Sequence, residues 1–337
     1  MDCLDKYSIV AAERVLNSTE GGGDPPADLG AILDRVRHSA PDFTLGALEA
    51  LVRRRERNKA QARALLSVTR PEQRTPEWFK LRDGRVTASE LAEVMGEGKY
   101  GTQRSWLKKK AKIEKVQDVI PAEILEWGQR FEPVITEIYE ARNGVRVSDI
   151  GFLPVGDYCG ASPDGVSDAG VLLEIKAPWR RQITGAILPQ YMYQMQLQMR
   201  AAQIDVCDFV EASFDALSEE AAVAAREDGH VVGRDATGWW RLKKYNQVRV
   251  ELDHDLIERA IRCAEKAAKI MRELRSDSVM YYNFMHGTRR KRANSIFCFD
   301  EEDGGLASAL VQAGASPPKD TPLPPHLDFS DFADEFD

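Results

Sequence analysis

The segment VLLEIKAP (171–178) constrains the fold more than any other stretch of this 337-residue chain. Along an extended strand side chains alternate, so Glu174 and Lys176 share one face while Leu173 and Ile175 take the other. Val171 and Leu172 make the run almost continuously apolar, as in a strand covered on both faces of its sheet. Pro178 stops it. The preceding SPDGV (162–166) is a turn-prone cluster that carries Asp164 to the same strand end. A carboxylate and an ammonium on a covered face need partners or a metal. The same letters also suit an ordinary hairpin with charges on its wet face, so the motif alone does not choose.

The surrounding pattern predicts an α/β domain with a mixed central β-sheet flanked by helices. PAEILEWGQRFEPVITEIYEARNGV reads as a helix closed by Gly144, with a kink or a new start expected at Pro133. Glu132 falls on one helical face with Leu125, Gly128 and Tyr139, an unusual place for an acid. QYMYQMQLQMRAAQ reads as a helix with Met192, Met195, Met199 and Ala202 inward. GVRVSDIGFLPV and DVCDFVEASF read as strands, and DHDLIERAIRCAEKAAKIMRELR as a long amphipathic helix. Upstream, NSTEGGGDPPAD has the composition of a flexible linker. Two helices follow it, the second starting at a Thr44 cap. The expected division is a helical extension with its linker over 1–70, the α/β domain over 71–276, and a basic cluster with a Pro-rich acidic tail over 277–337. That tail has the composition of a disordered segment.

Net charge is −8, but residues 299–337 hold ten acids and one lysine, so the rest of the chain sums to +1. RRRERNK, KKKAK and TRRKR are basic clusters of modest weight, since most charge runs are solvated faces. Five scattered cysteines without a C-x-x-C pair point to a reducing, intracellular compartment and away from zinc or iron–sulfur sites. The cytoplasm is the default expectation, or the nucleus if TRRKR is a localisation patch in a eukaryotic host. No apolar run reaches membrane-spanning length, and the N-terminus lacks the layout of a signal peptide.

If Glu132, Asp164 and Glu174 converge, their repulsion raises one or more pKa values unless a cation neutralises them. Oxygen-only donors select a hard ion, Mg²⁺ or Mn²⁺, of the kind that binds phosphate. Such a site hydrolyses phosphodiesters, with Lys176 placed to assist the attacking water or to offset transition-state charge.

WFKLRDGRVTASE, EWGQRFEP, YEARNGV, GASPDGV, LLEIKAP and YMYQMQLQM stand in an order that resembles the YqaJ-like viral recombinase and phage lambda exonuclease family, within the PD-(D/E)XK nuclease superfamily. The resemblance covers roughly two-thirds of the chain and implies a PD-(D/E)XK core, restriction-endonuclease-like. It also implies a Mg²⁺-dependent exonuclease working 5′ to 3′ on double-stranded DNA ends, with Mn²⁺ able to substitute. Asp164 and Glu174 match the metal-binding acids, joined by the Ile175 main-chain carbonyl and by Glu132 as the helical acid. Lys176 matches the catalytic lysine and Gln194 the glutamine that completes the site, with Tyr191 on the same helical face. Arg82 and Ser89 match residues that hold a terminal 5′-phosphate, with Ser162 beside them, while Arg85 is a weaker candidate for that role or only a surface cation. Trp78, Trp106 and Trp127 read as packing residues. Relatives of this kind include a trimeric ring, and a single-strand annealing or binding protein is the partner implied for the acidic tail. A structure- or site-specific endonuclease on the same fold, or an adaptor acting through the tail, are the alternatives. Residues 215–244 stand apart from the resemblance as an insertion or hairpin.

Overall fold

The computed structural model describes residues 6–19, 28–99, 101–111 and 122–286. The chain opens with α1 (Lys6–Thr19), α2 (Leu29–Arg37) and α3 (Leu45–Leu66). Asp28 and Thr44 cap the second and third of these by accepting from the Ala31 and Ala47 amides. α1 carried no expectation from the sequence. Its Ile9, Ala12 and Leu16 bury against Ile32, Leu33, Val36 and Phe43, so the leading helices own a small core. The expected linker falls largely on 20–27, outside the described residues.

This helical unit is bonded to the α/β domain. Arg54 pairs with Glu251 at 2.7 Å, Asn58 donates to Asp205 at 2.9 Å, and Gln61 donates to the Ala202 carbonyl at 2.9 Å.

Next come α4 (Pro76–Arg82), β1 (Val86–Thr87), a 3₁₀ turn (Ala88–Glu90), α5 (Leu91–Met95) and α6 (Gln103–Ala111). α4 begins as its sequence dictates, with Thr75 as cap and a proline in the first turn. α7 (Ala122–Asn143) runs through Pro133 without interruption, so the expected new start does not occur there.

The strands follow: β2 (Val147–Ser148), β3 (Leu153–Val155), β4 (Cys159–Ala161), β5 (Gly165–Ser167) and β6 (Leu172–Lys176). Then come α8 (Pro189–Ala202), β7 (Val206–Leu217), α9 (Glu219–Glu227), β8 (Val232–Asp235), β9 (Gly238–Glu251), α10 (His254–Ser276) and α11 (Ser278–His286). The stretch 144–155, expected as one strand, is divided between β2 and β3 in different sheets. Gly151 turns the chain between them at φ 65°, a conformation open to glycine.

One sheet has the order β1-β4-β3 and the larger one β2-β5-β6-β7-β9-β8. β6 and β7 run parallel while their outer neighbours are antiparallel, which makes the sheet mixed. Leu173 and Ile175 pack with Phe131, Ile135 and Tyr139 of α7. Leu172 and Phe209 pack with Tyr191, Met195 and Met199 of α8. The central strands are therefore covered on both faces, as the unbroken apolar run required. The insertion at 215–244 is an outward continuation of β7 and β9 with α9 and β8 attached. It is pinned to α7 by Trp240, edge-on to Phe131 with ring centroids 6.4 Å apart, and by the Arg130–Asp235 ion pair at 2.8 Å. Among the described residues no helix is long and apolar enough to cross a membrane. The acidic tail and TRRKR lie outside the described residues.

Candidate active site

Lys176 is the last residue of β6, and there the alternation along the strand brings Glu174 and Lys176 to the α8 face. Lys176 Nζ lies 2.6 Å from Glu174 Oε1 in a pair whose carboxylate is wholly buried. Glu174 Oε2 accepts from Gln198 Nε2 at 2.5 Å. Glu174 Oε1 has only the ion pair and no well-directed hydrogen bond, and Gln198 Oε1 is likewise buried without a donor.

Asp164, in the turn before β5, accepts from the Ile175 amide at 2.6 Å. Glu132 arrives on α7, from the opposite face of the sheet. Glu132, Asp164, Ile175 and Lys176 line one open cleft of about 150 Å³, together with Arg74 and Gly128.

The electrostatics follow from crowding three carboxylates against few cations. Burial, then the charge of Glu174, raises the Asp164 carboxyl well above the ordinary range, with Lys176 opposing. Burial also raises Glu132; Arg74 and Lys176 pull it down and Glu174 pushes it up. For Lys176 burial works against the ammonium, but Glu174 and Asp164 outweigh it and the pKa rises.

Among the described residues no three His, Cys, Asp or Glu side chains form a ready-made cation cage. Glu174 is turned toward Lys176 and Gln198, and one Asp164 oxygen toward the Ile175 amide. The donors nevertheless fit a hard divalent cation. They are all oxygen, they carry excess negative charge, and one buried carboxylate oxygen lacks a directed hydrogen bond.

The residues matched to a terminal phosphate lie to one side. Arg82 lays its guanidinium over the Trp78 ring at 4.0 Å, and Trp78 Nε1 donates to Ser162 Oγ at 3.1 Å. Burial lowers the Arg82 pKa, with Glu90 opposing. Gln198 Nε2 reaches the Ser162 carbonyl at 3.5 Å. Contacts thus run from Arg82 through Trp78, Ser162 and Gln198 to Glu174. Trp78 is buried as a packing residue should be, yet it also bridges these two groups. Ser89 is exposed, with its hydroxyl 3.4 Å from Thr87 Oγ1.

Gln194 is half-buried on α8 and makes no hydrogen bond to the carboxylates among the described residues; Gln198, one turn later, does. Tyr191 is buried beneath Lys176, whose Nζ is 5.2 Å from its ring centre. A further buried acid, Glu211, stands beside Lys176 in the β6–β7 register and pairs with Arg181 at 2.5 Å. Sequence reading passed over it, although an acid inside the apolar run CDFVEASF was a visible signal.

The central mixed sheet gathers carboxylates and a lysine at one strand end, with an acid reaching over from a flanking helix. Residues 77–205 match the profile of the YqaJ-like viral recombinase domain. An uncharacterized protein of Acanthamoeba polyphaga mimivirus is 30% identical over 167 residues, which are 43% of this chain and 30% of that protein. Among solved structures, an alkaline exonuclease from Laribacter hongkongensis is 25% identical, with 60% of this chain and 95% of that one covered at a TM-score of 0.46. A phage-related exonuclease from Haemophilus somnus is 14% identical, covering 57% and 95% at a TM-score of 0.42.

Proposed function

We propose that this chain is a metal-dependent deoxyribonuclease that degrades double-stranded DNA from its 5′ ends. The observation that supports it best is the cleft where Glu132, Asp164 and Lys176 meet above buried Glu174, with the Arg82–Trp78–Ser162 group joined to it through Gln198. In this reading Glu132, Asp164, Glu174 and the Ile175 carbonyl hold Mg²⁺, or Mn²⁺ in its place. Such an ion, when bound, supplies a more acidic water and offsets charge on the phosphoryl oxygens.

The protein's own groups do the rest. Lys176, fixed by Glu174, donates to the attacking water and offsets negative charge as the new P–O bond forms. Gln198 holds Glu174 in place, and Gln194 faces the substrate beside it. Arg82 grips a terminal 5′-phosphate in a bidentate fork while stacked on Trp78, with Ser162 and Ser89 as hydroxyl donors. A grip on a terminal phosphate favours end-wise digestion, because an internal position offers no such group.

Linear duplex with and without a 5′-phosphate, beside a closed circle, tests this in Mg²⁺. The expected result is loss of linear DNA from its ends, faster with the phosphate, and an intact circle. Cleavage of the circle makes the enzyme an endonuclease. No cleavage in Mg²⁺ or Mn²⁺ overturns the assignment.

A further inference from the structure

Arg74 sits where glycine would be cheaper. It is the third residue of a turn closed by Thr75, whose amide and hydroxyl both donate to the Glu72 carbonyl. Its φ is 68°, the left-handed region that a turn of this shape normally fills with glycine. The side chain that imposes this strain is exposed and makes no hydrogen bond or ion pair among the described residues, yet it lines the same cleft as Glu132, Asp164 and Lys176. The guanidinium offsets the charge of Glu132 without bonding to it, so a strained position in a polar cleft keeps its donors available to a ligand.

Gly128 makes the matching observation across the cleft. It lies inside α7, where glycine weakens a helix, one turn before Glu132. A Cβ built there meets nothing within 4 Å. Packing within the protein therefore does not demand the glycine. It leaves helix backbone bare on the cleft wall, where something else can approach closely.

We propose that Arg74 and Gly128 form a lane for the sugar–phosphate backbone of a DNA strand entering the Glu132–Lys176 cleft. Arg74 donates to non-bridging oxygens of an internal phosphate, and Gly128 lets the sugar edge lie against α7. The inference rests on the nuclease reading for its ligand, but it assigns a phosphate separate from the terminal one given to Arg82.

The test is DNA binding by the full chain, measured by fluorescence anisotropy with Ca²⁺ replacing Mg²⁺, on 5′-phosphate and 5′-hydroxyl duplexes across a salt series. Thermal melting runs alongside. Arg74→Gly is expected to weaken binding about tenfold on both duplexes, the loss of one charge-assisted contact. It should lower the log–log salt slope by about one. Its melting temperature should rise, because the turn is relaxed. Gly128→Ala should also melt higher while binding DNA less tightly. More stable yet weaker-binding variants are an outcome that a purely structural role does not produce.

Unchanged binding in both variants overturns the lane. So does a loss in Arg74→Gly confined to the 5′-phosphorylated duplex, since that assigns Arg74 to the terminal phosphate. A parent that binds DNA but never cleaves it removes the nuclease reading while the same binding curves still decide the lane. A parent that binds no DNA removes both.

Discussion

α7 presents two polar side chains two turns apart, Glu132 and Tyr139, and each meets a different ionic cluster of the same sheet. Around Tyr139 each charge has a partner, although Arg249 Nη1 meets Glu13 in an ion pair without a directed hydrogen bond. Asp208, wholly buried, accepts from Arg249 Nε at 2.6 Å and Nη2 at 3.2 Å, from the Tyr139 hydroxyl at 2.8 Å, and from Gln247 at 3.0 Å. Arg249 is paired on its other side with Glu13 of α1 at 2.6 Å. Burial works against its charge, but Asp208 and Glu13 raise its pKa well above the ordinary value. Around Glu132 the cluster is open. Three carboxylates share Lys176, with Arg74 at the rim, and two of the three are pushed toward the protonated form. The difference separates buried charge that holds the fold from charge left under-compensated for something that binds.

The sharpest way to break this distinction is to remove one acid from each cluster. Asp164→Ala should lower cleavage by about 10³-fold or more, the scale expected when transition-state electrostatics are lost. Its melting temperature should hold or rise, because one of three repelling carboxylates is gone. Asp208→Ala should instead cost about 3–5 kcal/mol of stability, since buried Arg249 loses its partner. Activity assays and melts on the two variants decide it. Equal destabilisation in both means that the cleft acids are structural too.

A cation series sharpens the same contrast. Asp164 and Glu132 have raised folded pKa values, so folding gains stability as pH falls through those values toward the unfolded ones, and that gain is absent above them. A divalent ion competes with the proton. Mn²⁺ should therefore raise the melting temperature more at pH 8 than at pH 5, with a stabilisation approaching about 2.7 kcal/mol at a hundredfold excess over its dissociation constant. Asp164→Asn should abolish the shift, and Arg249→Met should keep it. A shift that ignores both pH and Asp164 would place the ion elsewhere.

Much of this was readable from the letters, for identifiable reasons. Strand alternation alone set Glu174 and Lys176 on one face, and helical periodicity singled out Glu132 as an acid on an apolar stripe. The Thr44 cap and the inward Met195 and Met199 are equally local signals. What was hidden depends on tertiary geometry. Arg74 looks like any loop cation until its φ is known. Trp78 reads as core because its indole bond to Ser162 spans distant sequence positions. α1 is amphipathic but short, and the Gly/Pro run beside it dominated the reading. Pro133 is compatible with a continuous helix because α7 is held on both sides of it by Phe131, Ile135 and Tyr139. Gln194 and Gln198 are one turn apart on one face, so periodicity cannot rank them.

That pair supports the smallest prediction. Gln198 is buried and donates to Glu174 at 2.5 Å, so Gln198→Ala leaves a buried carboxylate short of a donor. The expected cost is about 1–3 kcal/mol of stability, with cleavage reduced as Glu174 loses its fixed orientation. Gln194 is half-buried and bonds to none of the carboxylates among the described residues, so Gln194→Ala should melt like the parent. If it faces the substrate as proposed, its loss should lower kcat about tenfold with stability untouched, the value of one hydrogen bond made only to substrate. Melts and steady-state kinetics on the two variants separate a residue that positions the site from one that touches what the site acts on. Two profiles with the same stability loss would make both glutamines positioning residues.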